Sequence, residues 1–258
     1  MITRVEPVMG TAFGITVDSL ADPDAVDRAF DWLRWVDAAF STYRADSEIS
    51  RLDRGDLDLD DASPEVREIL IRCDELTDQT DGWFRARGDD GRLDPSGLVK
   101  GWSIDMAAQI LRMAGARSYA VNGGGDIVCA GRSPSGGAWR TGIRHPRDAT
   151  AVAAVLDLTS HAIATSGTYE RGDHIWRPPH QTDRSDHSAW STVPALASVT
   201  VVGPDLGTAD ALATALYAEG TGTPSWLSAF PDQDILLITA DDQVRWTPGL
   251  DALKRPAA

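Results

Sequence analysis

The sequence predicts an α+β protein. Short strand-like runs, each bounded by glycine or proline, follow one another between residues 118 and 167, which suggests adjacent antiparallel strands. Helical periodicity is confined to separate stretches on either side of them. Antiparallel strands packed with several helices define the class. At 258 residues and 42% apolar content, the chain can build a full core in one large domain or two intimately joined ones.

Residues 4–18 alternate and are rich in Val, Ile and Thr, a strand interrupted at Met9-Gly10-Thr11. From Asp22 to Phe40 the spacing turns helical, with Val26, Phe30, Leu33, Val36 and Phe40 on one face, widened by Trp32 and Trp35. Asp22 and Pro23 suit its start. Residues 40–52 are polar and irregular. A helix follows from about Pro64 to Thr80, aligning Val66, Ile69, Leu70, Cys73 and Leu76. Residues 82–96 are turn-rich, and Leu98 to Ala114 is helical with Gly101 inside the pattern. SYAVNGGG, DIVCAG, WRTGIRH, VAAVLDL and HAIATSG then read as consecutive strands. Tyr169 to Pro194 has no pattern, and loops beyond about 12–15 residues are usually functional or mobile. ASVTVVG is a strand, Asp210 to Glu219 a helix, DILLITA a strand and VRWTP a last short one.

Charge narrows the partners. With 39 acidic and 24 basic side chains, the formal charge is −15. Such a surface repels phosphate backbones and anionic lipid, which argues against nucleic acid and membrane surfaces. A phosphate-bearing ligand would need a cation or a placed lysine to reverse the local sign. No apolar run approaches the roughly 18 residues of a membrane span. The start, MITRVEPVMGTAFGITV, lacks the apolar stretch of a secretory signal, so a cytoplasmic location is expected. Cys73 and Cys129 are 56 residues apart without a CxxC and read as buried free thiols.

Four segments could carry chemistry. In NGGGDIVCAG the glycines are contiguous and precede a strand, so a dinucleotide-binding turn fails on context. They make either a tight strand connection or a place where backbone approaches a flat ligand. In LDPSGLVKGWSIDMA, Lys100 lies near a helix start beside Gly97 and Gly101, suited to a phosphate or simply solvated. In GTADALATALYAEG, Asp210 and Thr214 are four apart on one helical face. Carboxylate, hydroxyl and a nearby carbonyl form an all-oxygen set for Mg²⁺; the plainer reading is an aspartate favouring the helix dipole in the first turn. HAIATSGTYERGDHIW offers hydroxyls, Tyr169 and His174. The histidines have no zinc spacing, and there is no GxSxG elbow.

The order of these pieces is more specific than any one of them. MGT at 9–11, FSTYRADSEISRL at 40–52, DPSGLVKGWSID at 94–105, NGGGDIVCAG, IATSGTYER and ADALATAL together resemble the ApbE-type FAD:protein FMN transferases, from about Met9 to Gly220. The resemblance implies a T-fold-like α+β arrangement. It implies a Mg²⁺-dependent enzyme that splits the pyrophosphate of FAD, attaches FMN to a threonine or serine hydroxyl of an acceptor protein and releases AMP. An FAD pyrophosphatase and a non-catalytic flavin-binding protein are the alternatives.

Carried over by motif, Asp210 and Thr214 would hold the metal with the Gly97 carbonyl. Lys100 and Asp94 would contact FAD. Met9, Tyr43 and the turn of Trp83, Phe84 and Arg85 would line the flavin or adenosine cleft. Ile175 would also touch FAD, and His174 would be the base for the acceptor hydroxyl. Two departures stand out: Arg85 and Arg177 occupy positions where the family's motifs have aspartate. The family's acceptor pattern is absent from this chain, so self-modification is not expected.

Overall fold

The computed structural model describes residues 1–18, 20, 22–88, 90–167 and 196–255. Its main element is an eight-stranded, wholly antiparallel sheet in the order β1-β2-β3-β4-β7-β8-β9-β10. The strands are β1 (Ile2–Val8), β2 (Thr11–Val17), β3 (Tyr119–Gly123), β4 (Asp126–Ala130), β7 (Ser160–Gly167), β8 (Leu196–Gly203), β9 (Asp234–Thr239) and β10 (Val244–Trp246). Pro7, which has no N–H to give a ladder, falls on the edge strand β1. β5 (Trp139–Arg144) and β6 (Val152–Leu158) form a separate two-stranded sheet.

Both faces of the large sheet are covered, and its strands show it residue by residue. Successive side chains of a strand point to opposite faces. Along β7, Ala162 and Ala164 join the helix-side core while Ile163 joins the core beneath β5 and β6. Along β9, Ile235 and Leu237 face the helices while Leu236 and Ile238 face β5 and β6. The helical layer contains α1 (Ala25–Phe40), α4 (Ser96–Met113) and α5 (Leu206–Glu219). All five apolar positions that sequence spacing assigned to α1 are buried. Trp32 stacks on Trp35, meets Trp102 of α4 edge-on, and donates its indole N–H to the Ser103 carbonyl at 3.1 Å, tying α1 to α4. α3 (Pro64–Gln79) buries Val66, Ile69, Cys73 and Leu76. Both cysteines are free and buried as expected, and desolvation pushes Cys73 up to about 12 and Cys129 up to about 11.

Three expectations are corrected. The polar stretch 40–52 contains a helix, α2 (Glu48–Arg54), built on local capping rather than an apolar face. Ser47 accepts the Ser50 N–H at 3.0 Å, and Gly55 ends the helix with a φ of 73°. The strands between 118 and 167 are not all neighbours: β4 pairs with β7, and β5 pairs with β6 outside the main sheet. Finally, α5 starts at Leu206, so Asp210 lies in its second turn and not among the free N–H groups of its start.

Candidate active site

The site is organised by the antiparallel pair α4 and α5, which meet at three levels four residues apart. At the first, a Cβ placed on Gly97 would lie 3.5 Å from Thr214 Oγ1 and 3.2 Å from Phe84 Cε2. At the second, the Gly101 N–H donates to Asp210 Oδ2 at 3.1 Å. At the third, Asp105 accepts the Leu206 N–H at 3.0 and 2.8 Å and the Gly207 N–H at 2.8 Å. Four residues of helix advance about 6 Å, so the two helices are matched level for level. The approach at the middle level needs glycine: a Cβ at 101 would sit 2.4 Å from the Leu206 carbonyl oxygen.

Lys100 projects from α4 beside this seam. Its ammonium lies against Asp126 Oδ2 and 3.7 Å from Asp210 Oδ1. Asp126 is fully buried at the start of β4, and its Oδ1 accepts the Thr165 N–H at 3.0 Å. Asp210 is 4% exposed. Two buried carboxylates thus share one ammonium. Asp210, Thr214 and Gly97 would offer carboxylate, hydroxyl and carbonyl oxygens, the donor type a hard divalent cation takes. The residues therefore fit Mg²⁺ chemically.

Lys100 opens into a cleft of about 900 Å³ between the large sheet and β5. Two tight hairpin turns form part of its rim. Met9 and Gly10 join β1 to β2, and Gly124 and Gly125 join β3 to β4; all four residues have positive φ. Such two-residue turns match the twist of paired strands. Met9, at φ 50°, is an unusual residue in that conformation and lines the cleft. Thr11, Thr165 and Arg144 line it too, as does Tyr43, whose side chain is 98% exposed.

The predicted residues are thus distributed as follows. Lys100 and Asp210 come together, Gly97 adjoins Thr214, and Met9 and Tyr43 share the cleft with Lys100. Trp83 and Phe84 are buried, while Arg85 and Asp94 are exposed; none of these four is among the described residues lining the cleft. The Arg85 Nε–H donates to the Gly82 carbonyl at 3.0 Å. Asp94 accepts the Ser96 N–H at 3.0 Å at the start of α4. His174, Ile175 and Arg177 lie outside the described residues. Sequence reading missed Asp126, which follows the glycine turn without any diagnostic spacing and reaches Lys100 only through the fold.

The architecture is thus an antiparallel sheet packed by helices on one face and by β5 and β6 on the other, with Lys100 carrying the buried trio to the edge of a cleft. A model of the ApbE family matches residues 9–87 and 84–236, and the chain belongs to that family. A FAD:protein FMN transferase of Haemophilus influenzae is 30% identical over 170 residues, covering 63% of this chain and 48% of the relative. One from Rhodobacter capsulatus is 30% identical over 198 residues, covering 72% and 36%. The chain therefore spans about half or less of the length of these relatives. In fold it is similar to the ApbE protein of Thermotoga maritima, with a TM-score of 0.78, 20% identity and 99% of each chain covered. It is also similar to the flavin transferase ApbE of Vibrio cholerae, at 0.77, 23% and 98% of each chain. Among the described residues no helix is long and apolar enough to cross a membrane.

Proposed function

We propose that this chain is a Mg²⁺-dependent FAD:protein FMN transferase. It cleaves the pyrophosphate of FAD, attaches FMN to a threonine or serine hydroxyl of an acceptor protein, and releases AMP. The observation that carries this reading is the ion-paired trio of Lys100, Asp126 and Asp210, of which Lys100 lines the cleft, with Thr214 and Gly97 one turn along the same helix pair. The relatives described as FAD:protein FMN transferases support it.

Asp210, Thr214 and the Gly97 carbonyl would hold Mg²⁺, which when bound neutralises charge on the phosphoryl oxygens and the departing AMP. Lys100 orients the pyrophosphate through its ammonium, and Asp126 holds that ammonium in place. Asp94 contacts FAD from the start of α4. Met9 and Tyr43 pack against its rings, and Trp83, Phe84 and Arg85 support the wall beside Gly97. Ile175 adds an apolar contact. His174 takes the proton of the acceptor hydroxyl, as the free nitrogen of a neutral imidazole can.

The test is to incubate the purified chain with FAD, Mg²⁺ and threonine-containing acceptor peptides. Flavin joined covalently to peptide, with an equal amount of AMP, is the expected result. Free FMN with AMP would make the chain a pyrophosphatase instead, and intact bound FAD would make it a flavin-binding protein.

A further inference from the structure

We infer that Asp105 is a positioning residue for the proposed cation site, setting the register of α5 on α4 so that Asp210 stands opposite Gly101 and Thr214 opposite Gly97. This rests on the metal reading given above.

The first N–H groups of any α-helix lack partners within it. In α5 the Thr208 N–H goes to the Asp205 side chain at 2.8 Å, a cap from its own chain neighbour. The Leu206 and Gly207 N–H groups instead go to Asp105, a residue of the other helix 101 and 102 positions away in sequence. Asp105 therefore does two things at once: it ends the helix chemically, and it pins that end to α4.

Register is set by a few directional contacts. The Gly101 N–H bond to Asp210 Oδ2 at 3.1 Å holds the middle of the seam. The glycine at 101 permits close approach but has no side chain to interlock. The charge-assisted bonds of Asp105 add a second fixed point at the start of α5. Leu206 is four residues before Asp210 and Thr214 four after it, so a clamp at Leu206 is transmitted down one face of a single rigid helix.

Manganese, used as a spectroscopic stand-in for magnesium, tests this on the full chain without recourse to turnover. Free Mn²⁺ is measured by its paramagnetic resonance signal, well below the melting temperature of each variant. Asp105→Ala should bind at least tenfold more weakly than the unmodified chain. Asp105→Asn, which keeps one acceptor oxygen, should stay within about threefold. Where the alanine variant does not fold, Asp105→Glu displaces the acceptor by one methylene and should weaken binding at least threefold. A helix cap without influence on the site would lower the melting temperature and leave Mn²⁺ affinity alone. Equal affinity in the unmodified chain and Asp105→Ala overturns the inference while leaving the cation site standing. No binding by the unmodified chain overturns the cation site, and the inference with it.

Discussion

Gly101 and Asp210 face each other across the α4–α5 seam at a distance only a glycine allows. The Gly101 N–H reaches Asp210 Oδ2 at 3.1 Å, and the space a Cβ would need is filled by the backbone of Leu206. The tight helix contact and the placement of the site carboxylate are therefore one feature.

Gly101→Ala should force the helices apart, because the obstacle is a backbone carbonyl and not a side chain that can rotate away. Overpacking of this kind costs about 1–3 kcal/mol, and a value near the upper end is expected. Urea denaturation measures it. A loss below about 0.5 kcal/mol would mean that the seam yields easily.

Lys100→Met should leave Asp126 and Asp210 as neighbouring buried carboxylates without their shared cation. Removing one partner of a buried ion pair costs on the order of 3 kcal/mol. Urea denaturation of the variant and the unmodified chain at pH 7 tests this. A loss below about 1 kcal/mol would contradict the electrostatic account.

Asp105 gives a second pH signature, of known sign. Burial raises its carboxyl from 3.8 to about 6, against the pull of the Leu206 and Gly207 N–H groups. Between those values the folded protein holds more proton than the unfolded chain, so this group's contribution to stability falls as pH rises through the window. Asp105→Asn cannot titrate. Relative to the unmodified chain it should gain on the order of 2 kcal/mol between pH 4 and pH 7. Parallel stability curves across that range would contradict the raised value.

The two thiols should be silent in the native state. With Cys73 at about 12 and Cys129 at about 11, thiolate is scarce at pH 8. A disulfide reagent should titrate well under about a tenth of an equivalent in minutes. It should find both thiols of the chain after guanidinium unfolding. Rapid labelling of the folded protein would show that one of them is not enclosed.

Legibility in the sequence followed the physics of each element. α1 and α3 were readable because burial imposed apolar spacing on them, whereas α2 buries only Ile49 and rests on Ser47 and Gly55. β5 was readable as a strand but not in its pairing, since a period of two says nothing about which neighbour a strand will have. Asp210 and Thr214 could be linked because four residues are one helical step. Asp126 could not be linked to Lys100, because a hairpin and a helix from distant segments meet only in the fold. The clamp at Asp105 was hidden for the same reason, although the spacing Gly97, Gly101, Asp105 mirrors Thr214, Asp210, Leu206 once the two helices are seen side by side.

The central claim is that a divalent cation held by Asp210 and Thr214 makes the FAD pyrophosphate cleavable. AMP release from FAD, followed by chromatography with Mg²⁺, with EDTA, and with Asp210→Ala in Mg²⁺, tests it most directly. Release in Mg²⁺ that drops at least about a hundredfold in both other conditions is predicted. Undiminished AMP production after chelation, or from the alanine variant, would contradict it.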